Sequence, residues 1–168
     1  MALEIERRFL VRSDAWRSCA GPAQALRQGY LAASAEGVTV RMRLRGTDQA
    51  WLTLKAAADA AGLVRHEFEY PIPVADAEAL WELAPHRLEK VRYVLDHPGG
   101  DWVVDCFHGG NAPLLLAEVE LASAQVDLLI PAWCGEEITG QSRWSNAVLA
   151  QHPVQSWPEQ ERRRWDLV

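Results

Sequence analysis

The sequence predicts a mainly β (α+β) protein, with about eight antiparallel strands forming a sheet that is closed or nearly so and a few short helices packed outside it. Three observations carry this expectation. Charged side chains recur at every second residue in Glu4-x-Glu6-x-Arg8, Arg41-x-Arg43-x-Arg45, Glu67-x-Glu69, Lys90-x-Arg92 and Glu118-x-Glu120, which is the side-chain period of a strand. Large apolar residues such as Met42, Leu44, Phe68, Val91 and Val119 fill the gaps, so the opposite face of each strand must pack on something. Turn signals separate several of the runs, as antiparallel hairpins require.

Taken in order, the strands are expected over 3–11, 25–33, 38–45, 50–56, 64–71, 87–96, 102–108 and 115–122. Gly46-Thr-Asp48 turns the arginine strand into the next one. The small residues from Ala56 to Gly62 read as a longer loop. Pro98-Gly-Gly-Asp101 and Gly109-Gly-Asn111 bracket the seventh strand. A helix is expected over 74–83 after Pro73, another over 123–130 with Ser123 as cap, and a third over 144–151 with Ser145 near its start. The segment Trp157-Pro-Glu-Gln-Glu-Arg-Arg-Arg-Trp165 reads as an amphipathic helix packing its tryptophans on the body, in preference to an RNA-binding tail.

Composition bounds the function. At 168 residues the chain suits one domain, with a core over 2–150 and a tail over 151–168. A formal net charge of -6 opposes nucleic acid as a partner. No apolar run is long enough to span a bilayer, which makes a cytoplasmic location the expectation. Cys19, Cys106 and Cys134 match neither a disulfide framework nor a zinc site. His66, His86, His97, His108 and His152 lack paired ligand spacing, Ser142 and Ser145 lack a nearby base, and there is no phosphate-binding P-loop. A homodimer is compatible with a tryptophan-rich surface.

The charges are segregated by strand. Acids occupy the first, fifth and eighth strands and bases the third and sixth, with Arg27 on the second and Lys55 on the fourth. Turned inward in a closed barrel, they would combine a basic lining with a carboxylate cluster. Arginine and lysine bond phosphate oxygens, carboxylates are the hard oxygen ligands of Mg2+ or Mn2+, and opposite signs offset one another's desolvation.

These motifs resemble the CYTH superfamily of triphosphate tunnel metalloenzymes, especially its short bacterial inorganic triphosphatases. The entry motif Glu-x-Glu-x-Lys stands here as Glu4-Ile-Glu6-Arg-Arg8. Further blocks follow in order, among them Leu26-Arg27-Gln-Gly-Tyr30, Val40-Arg41-Met-Arg43, Leu52-Thr-Leu-Lys55, Arg65-His-Glu67-Phe-Glu69, Leu88-Glu-Lys90-Val-Arg92, Val104-Asp105, Ala117-Glu118-Val-Glu120 and Arg143-Trp-Ser-Asn146.

The resemblance implies a tunnel open at both ends that holds a triphosphate, with Mg2+ or Mn2+ as cofactor. It implies Arg8, Arg27, Arg41, Arg43, Lys55, Lys90 and Arg92 as phosphate-binding groups, with Arg8 also in the catalytic set. The acidic set would be Glu4, Glu6, Glu67, Glu69, Asp105, Glu118 and Glu120. Glu6 or Glu120 would orient or deprotonate the attacking water, and Tyr30 would either donate a hydrogen bond to phosphate or sit in the core. Arg45 continues the arginine face toward the rim. Arginine stays charged where the motif has lysine, so Arg8 can clamp phosphate and cannot serve as a base. The alternatives are class IV adenylyl cyclase-type cyclisation of ATP, hydrolysis of thiamine triphosphate, and a non-catalytic polyphosphate or nucleotide sensor.

Overall fold

The computed structural model describes residues 3–33, 37–61 and 63–168. Strands β1 (Leu3–Val11), β2 (Ala20–Ala32), β3 (Thr39–Arg45), β4 (Gln49–Ala57), β5 (Val64–Pro71), β6 (His86–Leu95), β7 (Asp101–Phe107) and β8 (Leu115–Glu120) pair antiparallel in the order β5-β4-β3-β2-β6-β7-β8-β1. The sheet closes because the start of β1 pairs with β5, Glu4 lying opposite Arg65. These strands follow the expected boundaries closely, although β2 begins earlier. The loop expected over 56–62 is shorter than read, since Ala56 and Ala57 extend β4, and its end at Gly62 lies outside the described residues.

A ninth strand, β9 (Cys134–Glu137), was not expected. It continues along the β1 edge that β5 vacates, with Phe9 opposite Glu137. Four residues are too few to show a period.

Register decides which side chains face inward. Across each antiparallel pair, directly opposed residues share a face. Arg8 lies opposite Glu118, Glu6 opposite Glu120, Arg41 opposite Thr53 and Tyr30, Lys55 opposite Glu67, and Arg92 opposite Asp105. The charged set therefore lines the inside of the barrel, and most intervening apolar residues face out.

Two coverings protect that outer face. Helix α1 (Val74–Leu83) lays Ala77, Leu80 and Trp81 over Met42, Leu44 and Ala50. The turn at Asp14–Cys19 and the segment 121–134 cover Phe9, Trp102, Val104 and Val119 with Trp16, Leu128 and Trp133. The second of these corrects the helix expected over 123–130: the segment is irregular. Leu128 and Trp133 anchor it to the barrel, and an irregular chain covers more surface per residue than a helix rising 1.5 Å per residue.

The C-terminal residues fill one end of the barrel from within. Trp144, Leu149, Val154 and Leu167 pack on Tyr30, Leu88, Phe107, Leu114 and Leu116. Helix α2 (Asn146–Gln151) starts where expected within two residues, capped by the Ser145 hydroxyl, which accepts from the Val148 N–H at 3.2 Å. Helix α3 (Glu159–Arg164) lies between Trp157 and Trp165, whose rings meet Trp144 edge-on at centroid distances of 5.0 and 5.4 Å. The tail is thus built into the barrel floor.

Candidate active site

The barrel encloses a cavity of about 320 Å³ lined by six carboxylates, Glu4, Glu6, Glu67, Glu69, Glu118 and Glu120, and six cations, Arg8, Arg41, Arg43, Lys55, Arg65 and Arg92. Tyr30, Thr39, Ser145, Asn146 and Ala147 complete the lining. The apolar plug packs at one end of this cavity, beside Ser145, Asn146 and Ala147. A second chamber of about 410 Å³, sharing Glu6, Arg8, Lys55 and Arg65 with the first, lies between β4 and the segment Gly140–His152.

Most of the charges are matched. Lys55 Nζ donates to Glu4 Oε1 and Oε2 at 3.0 and 2.8 Å and lies 3.4 Å from Glu67. Arg65 Nη2 donates to Glu4 Oε2 at 3.0 Å and also to Glu6 Oε1. Arg8 Nε donates to Glu118 at 3.0 Å, and Arg8 Nη1 donates to the Trp144 carbonyl at 3.1 Å, tying the first strand to the plug. Arg41 reaches Thr53 at 3.1 Å and Glu69 at 3.4 Å.

Two charges of the lining, Arg43 and Glu120, lack an opposite partner among the described residues. Arg43 donates only to Gln28, at 3.0 Å, and Glu120 forms no ion pair. Arg8 Nη2, Arg41 Nε and Arg65 Nε are buried nitrogens without an acceptor. A buried donor left unpaired is costly, so these arginines call for an oxygen-rich ligand.

Electrostatics separates the acids. Burial alone would raise Glu4, but Lys55 and Arg65 overcome it and hold the carboxyl at about 2. Burial, then Glu118 and Glu4, push Glu6 up to about 7 against the pull of Arg65. Glu118 is equally buried, yet Arg8 and Arg92 hold it well below the usual carboxylate range. Burial, then Glu4 and Asp101, raise Glu120. On the basic side, burial and the neighbouring Arg41 and Arg92 press Arg43 down to about 9. That is the mark of crowded cations short of anions.

Not every expected site residue reaches the cavity. Arg27 is corrected: it lies opposite Leu44 and Glu89 on the outer face, donates to Glu78 at 3.1 and 2.5 Å, and stacks over Trp81. Its neighbours Gln28 and Tyr30 belong to the inner set, and parity puts Arg27 outside. Lys90 and Asp105 are on the inner face but lie behind Arg92, outside the cavity lining. Lys90 donates to Asp105 at 2.5 Å and to Asn146 at 2.9 Å, and Asp105 accepts twice more from Arg92 at 2.8 Å. Burial lowers Lys90 to about 7 despite Asp105, while Asp105 stays low because Arg92 and Lys90 outweigh its own burial. Tyr30 is buried and accepts from Gln28 at 3.0 Å. Arg45 pairs with Gln49 and stacks on Trp51.

Sequence reading missed Arg65, Thr53 and Asn146. Arg65 and Thr53 had a usable signal, because 65, 67 and 69 share a face, as do 53 and 55. Asn146 had none, since its approach depends on where α2 docks.

A closed antiparallel barrel with an interior lined by paired acids and bases defines a tunnel-type domain, and the CYTH domain model matches residues 2–139. The chain belongs to the CYTH family. Its relatives include the inorganic triphosphatase of Acetivibrio thermocellus, 36% identical over 161 residues, covering 95% of this chain and all of the relative. The inorganic triphosphatase of Nitrosomonas europaea is 39% identical over 151 residues, covering 88% and 96%. The crystal structure of the inorganic triphosphatase NE1496 superposes with a TM-score of 0.63 at 36% identity, over 94% of this chain and 98% of that one.

Proposed function

We propose that this protein hydrolyses inorganic triphosphate, or a closely related triphosphate, inside the barrel, with water as nucleophile and a divalent cation as cofactor. The observation that carries the reading is the set of cavity-lining arginines, Arg8, Arg41, Arg43 and Arg65, that have either no carboxylate partner or a buried nitrogen with no acceptor. A chain of phosphoryl oxygens supplies the missing acceptors, and guanidinium groups bond such oxygens in pairs. The two chain relatives, both inorganic triphosphatases of matching length, support the same substrate.

The lining also fits a divalent cation. It holds as many carboxylates as cations, so a triphosphate of about four negative charges entering alone would unbalance a buried site. Carboxylate oxygens of Glu4 and Glu6 already converge on a single nitrogen of Arg65, which places two hard donors at one positive atom. Glu4 and Glu6, with Glu120 nearby, are the residues that would hold Mg2+ or Mn2+, and the ion would neutralise charge on the phosphoryl oxygens.

The chain's own groups do the rest. Arg41, Arg43 and Arg92 bind the non-reacting phosphates from the basic side. Asp105 and Lys90 brace Arg92 from behind, which fixes its fork before substrate arrives. With Glu6 turned to the cation, Glu120, raised by burial and without an ion-pair partner among the described residues, can orient the water and take its proton. Arg8 clamps the anion from between Glu118 and the plug. Little covalent chemistry is needed, and most of the rate would come from positioning and preorganised charge.

The test is to incubate the pure protein with triphosphate, ATP and thiamine triphosphate, each with Mg2+ or Mn2+, and to follow phosphate, pyrophosphate and cyclic AMP. Phosphate release from inorganic triphosphate, lost with EDTA, is expected. Cyclic AMP with pyrophosphate from ATP would overturn the reading. Tight binding without turnover would favour a sensor.

A further inference from the structure

We infer that Arg65 is a built-in stand-in for the divalent cation: its guanidinium bridges Glu4 and Glu6 in the metal-free protein, competes with an incoming cation for the same oxygens, and is released toward the phosphates when the cation binds. The inference rests on the triphosphatase reading and assigns a role within that site to a residue outside the family's Glu-x-Glu entry motif.

The geometry is specific to Arg65. A single atom, Nη2, donates to Glu4 Oε2 at 3.0 Å and to Glu6 Oε1, so one positive centre joins two carboxylates on one strand face. A divalent ion held by Glu4 and Glu6 would perform the same task. Glu4 has a second cation in Lys55, but among the described residues Arg65 is the only ion-pair partner of Glu6. Arg65 is also the more exposed member of the group, its side chain 28% exposed against 12% for Glu4 and 10% for Glu6. It lines both chambers, and its Nε is buried without an acceptor, so the guanidinium has space and an unmet bond to carry toward an anion.

The register explains why it stands there. Glu4 and Arg65 face each other across the seam where β1 meets β5, the contact that closes the barrel. Holding the two glutamates with an internal cation keeps that seam from accumulating negative charge before a ligand arrives. It also disfavours metal uptake by the empty protein. A cation arriving with triphosphate meets a different balance, because the anion gives Arg65 a new partner as the metal takes its place. Cation and triphosphate therefore bind with positive coupling, each raising the affinity of the other.

The experiment measures binding of Mn2+ alone, from the spin-resonance signal of the free ion, to wild type, Arg65→Met and Arg65→Lys at alkaline pH without triphosphate. Arg65→Met is expected to bind Mn2+ at least about tenfold more tightly, the scale of one charge-assisted bond removed from the competition. Arg65→Lys, which has no forked donors, is expected to fall between the other two. Equal or weaker binding by Arg65→Met would overturn the inference. Should Arg65→Met not fold, the lysine variant decides alone: tighter than wild type supports the inference and equal or weaker overturns it. The triphosphatase reading has its own marker, since wild type that hydrolyses triphosphate at full rate in EDTA would defeat the metal assignment whatever the order of the variants.

Discussion

Replacing Asp105 with asparagine tests whether the pair behind the cavity sets the geometry of the basic wall. Asp105 is 1% exposed and accepts three charge-assisted bonds, from Lys90 at 2.5 Å and from Arg92 twice at 2.8 Å. Asparagine keeps the shape and removes the charge, leaving a buried ammonium and weakening the hold on Arg92. Breaking a buried pair in this way costs about 3–5 kcal/mol. For a chain of this size that is a drop in Tm on the order of 10 °C. The pH dependence sharpens the test. Lys90 titrates at about 7 in the folded protein, so stability rises with pH from there toward the ordinary lysine value, because the unfolded chain binds the extra proton. Without Asp105 the Lys90 value falls further, and the variant starts regaining stability at lower pH than wild type. The gap between the two proteins should therefore be wider near pH 5 than near pH 8. Thermal unfolding followed by circular dichroism at both values measures it. A loss below about 1 kcal/mol, or a gap that widens with pH, would refute the reasoning.

Other outcomes follow from the same geometry. Arg27→Ala should leave triphosphate affinity within about twofold of wild type in a steady-state assay, because it pairs with Glu78 on the outer face. Glu6→Gln removes one of the two carboxylates that would hold the cation, so the Mg2+ concentration for half-maximal rate should rise at least about tenfold and kcat/KM fall by about a hundredfold or more in a metal titration. Arg8→Lys retains a cation beside Glu118 but gives up the bond to the Trp144 carbonyl, so binding should weaken several-fold and Tm fall by a few degrees while turnover persists. A hundredfold gain in turnover in Arg8→Lys would instead mark position 8 as a lost base and favour the sensor reading.

The barrel was legible because its two faces carry such different chemistry. Alternating charge over Glu4, Glu6 and Arg8, or over Arg41 and Arg43, leaves one plausible period, and the strand boundaries follow. Legibility failed where alternation did. In β2, Arg27 is the single charge, and nothing local says whether it or Gln28 faces in; only its position opposite Leu44 decides. Residues 123–130 carry apolar side chains at helical spacing, yet Leu128 is held by Trp102 and Trp133, a contact from distant parts of the chain. The plug was invisible for the same reason. Trp157 and Trp165 were expected to pack on the body, but nothing local tells that Trp144 and Leu167 pack on the inward-facing Tyr30, Leu88 and Phe107.

The equal count of acids and bases in the lining has a consequence for how this protein can change over generations. Most inward charges are neutralised by a neighbour on another strand, as Glu118 is by Arg8 and Arg92, so a substitution that alters sign there strands its partner in the interior. Drift inside the barrel is thereby restricted to exchanges that preserve sign, or to paired changes on facing strands. An arginine where the family motif has lysine is an exchange of the permitted kind. The outer face, where Arg27 meets Glu78, is under no such bookkeeping and is free to vary one residue at a time.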